Sequence, residues 1–273
     1  MAQQVESSFS SGVLPSYKNP PVNEVVCGMR FHTPDKLRIP HIGLLWEKFR
    51  ADYPIIQHAA PIASVKGEIV IDVATGMPLP RIWFVNKSDD QLVQFQFDRF
   101  YFNWRRRQSD YPRYDHVIKN FERVLNNIAI FFDEFEFGEL RPIEYELSYI
   151  NHIPKGQGWN TIDDLPKIFS DYVCKKTKKR FLPKPDKVAW NKEFPLPEKK
   201  GNLNVSLKQA IRTEDKVPLL VLELKTRGID ESAGKEGIRE WFDLAHEWIV
   251  RGFTDLTTPE IQKIWEREEN ASD

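Results

Sequence analysis

The sequence is poor in cysteine and has no long apolar run, and both absences narrow the class of protein. Only Cys27 and Cys174 occur in 273 residues, and no cysteine–histidine cluster has zinc spacing, which argues against a disulfide-rich secreted scaffold or a zinc domain. No run of eighteen apolar residues is present, so we expect no transmembrane helix and no membrane partner. The first residues lack the pattern of a signal peptide. We therefore expect a cytoplasmic protein with reduced thiols.

The sequence also has no large excess of positive or negative charge. The formal net charge is −1, which argues against a uniformly basic nucleic-acid binder. The charges are nevertheless unevenly placed, because 175–187 is strongly basic and 133–146 strongly acidic. Such a dipolar surface can steer an anionic partner. The alternative is that both stretches are solvated loops and helix faces.

Hydrophobic periodicity in the first half predicts a strand, a helix, several strands and a second helix. In the stretch 91–98, Val93, Phe95 and Phe97 alternate with glutamines, as in a half-buried strand. Apolar residues recur every three or four positions in the second helix, as on one buried face. The predicted elements are strand 23–34, helix 41–54, strands 81–86, 91–98 and 99–105, and helix 112–132.

The second half repeats this order. Thr161 and Asp164 have the spacing of a capping box at a helix start. A basic, proline-rich insertion, 174–200, stands where the first half has a simpler connection. The predicted elements are strand 142–154, helix 161–173, strands 202–211 and 218–226, helix 235–253, and a short helix after Pro259.

These elements predict an α+β fold of two similar β-α-β(n)-α halves, with helices packed on one face of an antiparallel sheet. The halves either share one sheet or pack against each other about a pseudo-two-fold axis. The order resembles the duplicated unit of the TATA-binding-protein fold, a likeness of topology that implies nothing about DNA. The predicted divisions are a flexible N-terminal segment 1–18, a first half 19–140, a second half 141–255 with the insertion, and a C-terminal helix and tail 256–273.

Four stretches resemble a known family. They are NPPVNEVVCGMRF (19–31), the segment 93–114 containing NWRRRQSDYPRY, LSYINHIP (147–154) and the helical stretch 242–265. Together they match an N-P-P-x-x-E-V start, an N-W-R and Y-P-x-Y centre, a Y-I-N strand and an aromatic C-terminal helix. The chain thus resembles a sporadically distributed family of uncharacterised bacterial proteins of about 260 residues. The resemblance implies a cytoplasmic bacterial protein, and such patchy families are associated with mobile or phage-defence genes.

The established catalytic signatures are missing. The nucleophile elbow, the dinucleotide-binding glycine motif and the P-loop are all absent. The stretch from His246 begins like a zinc-protease helix, but Val250 stands where the second histidine is required. We therefore predict no catalytic residues, no resident metal and no cofactor.

One alternative is a metal-dependent nuclease of the restriction-endonuclease type. Such enzymes use an acid and an E-x-K pair in a β-hairpin to hold Mg²⁺ and activate water. Asp215, Glu223 and Lys225 have this order. Alternation places Glu223 and Lys225 on one face of the strand, where an ordinary exposed charge pair also explains them.

The stretch NWRRRQSDYPRY is the main candidate for a binding site. Planar guanidinium groups hold phosphate or carboxylate bidentately, and the aromatic residues could form a wall for a ring. The structural alternative pairs the arginines with acids such as Asp98, Asp110 and Asp115, or stacks them on tyrosines. The candidate ligand- or partner-binding residues are Asn103, Trp104, Arg105, Arg106, Arg107, Tyr111 and Tyr114.

These observations predict a non-enzymatic binding or regulatory protein that engages another protein, encoded nearby, or an anionic ligand. A second alternative to this function is a nucleic-acid or nucleotide binder without cleavage, whose affinity should fall with salt. This binder would use 105–107 together with the basic residues Lys175, Lys176, Lys178, Lys179 and Arg180.

Overall fold

The structure, a computed structural model, describes residues 13–63, 71, 76, 80–173, 181–230 and 237–268. Its strands are β1 (Ser16–Tyr17), β2 (Val22–Phe31), β3 (Ile55–Ala59), β4 (Arg81–Val85), β5 (Gln91–Gln96), β6 (Arg99–Arg105), β7 (Pro142–Pro154), β8 (Ala189–Pro195), β9 (Asn202–Ile211), β10 (Pro218–Gly228) and β11 (Arg267–Glu268). Its α-helices are α1 (Ile39–Phe49), α2 (Tyr114–Glu134), α3 (Gly237–Leu256) and α4 (Pro259–Ile264). None of these helices is long and apolar enough to cross a membrane.

One antiparallel sheet joins both halves of the chain. Its strand order is β3-β4-β5-β6-β2-β7-β10-β9-β8, and β1 pairs separately with β11. The centre is the antiparallel pair β2–β7, in which Cys27 faces Leu147. Outward from this pair, four strands of the first half follow β2 and three strands of the second half follow β7. The α+β class is confirmed, and the internal duplication stays a prediction.

The helical face of the sheet carries the hydrophobic core. On β6, alternation directs Phe100, Phe102 and Trp104 to this face, and all three are buried. Phe121 of α2 stacks on Phe100, with ring centroids 5.8 Å apart, and also contacts Phe242 of α3 at 4.8 Å. The apolar stripes of α2 and α3 therefore pack on the sheet and complete one hydrophobic core.

The opposite face, here called the polar face, is built from hydrogen-bonded and charged side chains. Asn103 accepts a hydrogen bond from Gln94 and donates one to Glu24, at 2.7 and 2.6 Å. The ring of Tyr101 lies directly over Gly28, where an added Cβ would be 2.1 Å from Tyr101 Cδ1, so only glycine fits. The main residues of the polar face are Gln94, Gln96, Arg99, Tyr101, Asn103, Glu146, Ser148, Glu223, Lys225 and Arg227.

Several predicted boundaries are corrected. The predicted helix 161–173 is only a 3₁₀ helix, Ile162–Lys167, because Pro166 cannot continue an α-helical hydrogen-bond ladder. Its predicted capping box is present. Ser16–Tyr17, inside the segment expected to be flexible, forms β1, and the basic insertion contains β8.

Candidate functional site

A cavity of about 540 Å³ lies on the helical face of the sheet, beside the central strand pair. The start of α2, the side of α3, strand β7 and the segment before β2 form its walls. This volume suits a small molecule. The polar groups of its lining include Tyr111, Tyr114, Tyr149, Arg239, Asp243 and His246.

A chain of three hydrogen-bonding groups runs along one wall. The hydroxyl of Tyr111 is 2.7 Å from that of Tyr149, which is 3.1 Å from Nδ1 of His246. If Nδ1 accepts, Tyr149 donates to His246 and Tyr111 donates to Tyr149; if Nδ1 donates, the direction reverses. The chain can therefore adapt its donors and acceptors to a bound group without gaining charge.

The second polar group of the cavity is centred on Asp243. Tyr114 donates a hydrogen bond to Asp243 Oδ1 at 2.7 Å, and its ring stacks on His246 with centroids 3.9 Å apart and planes at 6°. Arg239 donates through Nε to both oxygens of Asp243, at 2.9 and 3.0 Å. The carboxylate at the rim is thus already paired.

Burial keeps the hydrogen-bonding groups uncharged. Desolvation raises the pKa of Tyr111 and of Tyr149 well above the usual phenol range. For Tyr114, desolvation and the neighbouring Asp243 carboxylate both raise the pKa. Desolvation lowers the pKa of His246 to about 4. At neutral pH these phenols and the imidazole are therefore all neutral.

The entrance to α2 is strained where it borders the cavity. Arg113, the residue before α2, has φ 72° and ψ 159°, a region nearly restricted to glycine that costs about 1–3 kcal/mol for other residues. Its Nη1 donates to the carbonyl of Tyr17 at 2.7 Å, and the Tyr17 hydroxyl bonds to Thr254 Oγ1 at 2.9 Å. These bonds hold the N-terminal segment along the cavity.

The structure divides the NWRRRQSDYPRY stretch into two parts. Arg105 and Arg107 both bind the carboxylate of Asp89, which lies in the β4–β5 turn. Arg106 donates to the carbonyls of Val22 and Pro20, at 2.9 and 3.1 Å. These arginines hold the turn and the N-terminal segment.

The other members of that stretch lie inside the molecule. Asn103 and Trp104 are buried, and the Trp104 ring is 5.5 Å from that of Tyr111. Tyr111 and Tyr114 line the cavity. Of the acidic residues expected to pair with these arginines, Asp110 lies near one of them. Its carboxylate is 4.0 Å from Arg106, the longest distance that still counts as an ion pair.

The three residues of the nuclease alternative are not brought together. Lys225 Nζ is 2.6 Å from Glu223 Oε1 on the polar face. Asp215 lies in the β9–β10 turn and is held by Arg212, whereas Glu223 is five residues into β10, roughly 16 Å along the strand. In the described part of the chain, no group of three histidine, cysteine or acidic residues could hold a metal ion. The basic residues 175–180 lie outside the described residues.

No protein-family model matches the sequence, and neither a curated protein nor a solved structure matches it.

Sequence reasoning missed most of the cavity. His246 was considered only as a zinc ligand, while Tyr149, Asp243, Arg239 and Arg113 were not singled out. Helical spacing does place His246 four residues after the buried Phe242 and three before the buried Ile249, and strand alternation places Tyr149 on the face of Leu147. Those signals locate each side chain on a buried face, but they do not show that the two faces meet.

Proposed function

We propose that the protein is a non-enzymatic binding protein whose site is the cavity between α2 and α3. The proposed ligand is a small uncharged molecule with a ring and at least one hydrogen-bonding group. The observation that carries this proposal is the neutral chain Tyr111–Tyr149–His246 inside an aromatic cavity.

Charge complementarity favours an uncharged ligand. The phenols and the imidazole of the wall carry no charge at neutral pH, and Asp243 is paired with Arg239. A charged group placed against this wall would lose its hydration without gaining an opposite charge there, which is costly. Arg113, which also lines the cavity, donates to the carbonyl of Tyr17 in the N-terminal segment. A neutral ligand group can accept a hydrogen bond at one end of the Tyr111–Tyr149–His246 hydrogen-bond chain or donate one at the other end.

The same pKa shifts favour binding over acid–base catalysis. A catalytic acid or base works best when its pKa lies near the operating pH. In this cavity the pKa of His246 falls to about 4 and those of the tyrosines rise. Strongly shifted groups in a cleft still mark a functional site. The proposal therefore retains the non-enzymatic function expected from the sequence and moves the site from the arginines to the cavity.

The test is a ligand screen by isothermal titration calorimetry and thermal unfolding. The panel contains indole, phenol, adenine and uracil, with benzoate and benzylamine as charged ring compounds. We expect at least one neutral compound to bind more tightly than both charged ones. At about 100 times its dissociation constant, it should stabilise the fold by about 2.7 kcal/mol.

Tyr149→Phe is the variant that tests the site, with Tyr145→Phe as its matched control. Both tyrosines are buried on the helical face of β7, but only Tyr149 lines the cavity. Binding should weaken roughly tenfold in Tyr149→Phe, as expected for a lost buried hydrogen bond, and stay unchanged in Tyr145→Phe. Equal losses in the two variants, or tighter binding of benzoate or benzylamine, would rule the proposal out.

A further inference from the structure

A cluster of hydrogen-bond donors without acceptors lies on the polar face, on the opposite side of the sheet from the cavity. It consists of Arg81 and Trp83 of β4 and Arg105 of β6, and is here called the arginine–tryptophan cluster. The guanidinium carbons of Arg81 and Arg105 are 5.5 and 5.8 Å from the centroid of the Trp83 ring. Strand β5 separates β4 from β6, so the cluster spans three neighbouring strands.

The positive charge of Arg81 is less well balanced by its neighbours than that of Arg105. Arg105 is paired with Asp89. Arg81 has no carboxylate within ion-pair distance among the residues that the structure describes, and its hydrogen bond goes to the neutral Gln94 Oε1, at 3.0 Å. Burial lowers the pKa of both guanidinium groups. For Arg105 the carboxylates of Asp89, Glu24 and Asp90 oppose this shift, whereas for Arg81 only Tyr101 opposes it and the charge of Arg99 adds to it. An anion beside Trp83 would favour the charged form of Arg81.

The cluster also holds most of the unsatisfied donors. Five buried side-chain nitrogens in the described ranges have no hydrogen-bond partner, and three of them are Arg81 Nε, Trp83 Nε1 and Arg105 Nε. A buried donor without a partner costs about 1–3 kcal/mol. Three such donors around one ring are explained if an acceptor occupies the site.

We propose that the arginine–tryptophan cluster binds a phosphate group. A phosphate monoester supplies three acceptor oxygens and close to two negative charges at neutral pH. These oxygens and charges match the three donors that lack an acceptor and the guanidinium of Arg81. A carboxylate carries only one charge, and its acceptor sites lie in one plane, so it matches donors on different sides of a ring less well. Arginine also binds phosphate through its planar fork better than lysine does.

The terminal nitrogens give a ligand access to the cluster. The hydrogen bonds of the described residues use Nη1 of Arg81 and Nη2 of Arg105. The other terminal nitrogens are therefore available for first contact, and a small rotation of each guanidinium then presents its Nε. This site is separate from the neutral cavity on the opposite face, so either proposal can fail without the other.

The experiment is an NMR titration of the full chain, observing arginine Nε–H and tryptophan indole signals. Inorganic phosphate, phenyl phosphate and acetate are the probes. The two phosphates distinguish a free anion from a phosphate carried on an organic group. We expect either phosphate to shift the Arg81, Arg105 and Trp83 signals in a saturable way, and acetate to bind at least tenfold more weakly.

Three variants locate the binding. Arg81→Gln should weaken phosphate binding roughly tenfold, since a charge-assisted hydrogen bond is lost. Trp83→Phe, which keeps the ring and removes the indole donor, should weaken it severalfold. Arg123→Gln makes the same change of charge on the exposed surface of α2 and should have no effect. Absence of the three shifts, acetate binding as tight as phosphate, or equal losses in Arg81→Gln and Arg123→Gln would overturn the proposal.

Discussion

The two faces of the sheet bury their side chains in different ways. The helical face buries aromatic rings such as Phe100 against α2 and α3. On the polar face, no α-helix of the described residues packs, and yet Tyr101 and Asn103 are only 4% and 3% exposed. Those side chains are joined by hydrogen bonds and ion pairs, and Gln96 also bonds to the backbone of Ile62.

This difference shows where hydrogen-bonding groups can remain available for a ligand. A hydrophobic core has no directional requirement, so it can be filled completely and leaves polar groups only where a cavity interrupts it. A polar network must match each donor with an acceptor, and a mismatch leaves a donor unused. The hydrogen-bond chain of the cavity and the arginine–tryptophan cluster are examples of these two cases, one on each face.

The largest effect should come from opening the core of the helical face. Phe121→Ala should destabilise the protein by about 4 kcal/mol, because it leaves a cavity between Phe100 and Phe242. The matched control is Ile130→Ala on the exposed side of α2, which should change stability by less than about 0.5 kcal/mol. Urea unfolding measures both, and equal losses would contradict the assignment of the core to this face.

The next effect should come from the buried ion pair of the polar face. Arg99 donates to both oxygens of Asp98, at 2.9 and 2.7 Å, and is 3% exposed. Asp98→Asn leaves this cation without its partner and should cost about 3 kcal/mol. Asp110→Asn makes the same change at a fully exposed side chain and should leave urea unfolding unchanged. If the two variants unfold alike, the polar face is not held by its ion pairs.

A smaller effect should appear in the pH dependence of stability. The pKa of His246 is about 4 in the fold, lowered by desolvation, and about 6.5 in the unfolded chain. The unfolded state therefore binds the proton first, so the contribution of neutral His246 is present above pH 6.5 and is lost as the pH falls towards 4. At pH 5 the loss should be about 2 kcal/mol.

His246→Asn keeps a group that can bond to Tyr149 and removes the titration. Its unfolding free energy should therefore fall less steeply than that of the natural protein between pH 6.5 and 4. The carboxylates contribute equally to both curves, so their difference isolates the imidazole. Parallel curves would show that His246 is not buried in its neutral form.

Much of the fold could be predicted from periodicity. The alternation of β5 and β6 and the stripe of α2 fixed their types and their buried sides, and β7 was predicted with the observed bounds. Strand β3 was missed because its sequence, IIQHA, does not alternate apolar and polar residues, in keeping with the exposure of both Ile55 and Ile56. Strand β8 was missed because the basic insertion around it has the composition of a loop.

The candidate site was less predictable because its contacts join distant positions. For the arginines 105–107 the sequence left open a ligand site or pairing with nearby acids. Two of them pair with Asp89, in a turn that the sequence did not connect with them. Arg81 and Trp83 gave no signal in the sequence, since a donor without an acceptor is visible only after all its neighbours are placed.

The sequence by itself determined which side of each strand and helix is apolar, because that depends on spacings of two and of three to four residues. Only the tertiary structure decided that Tyr111, Tyr149 and His246 meet, and that three donors around Trp83 lack an acceptor. A hydrogen bond forms only if donor and acceptor are placed to within a fraction of an ångström, and here they belong to residues far apart in the chain. Periodicity carries no information about such distances.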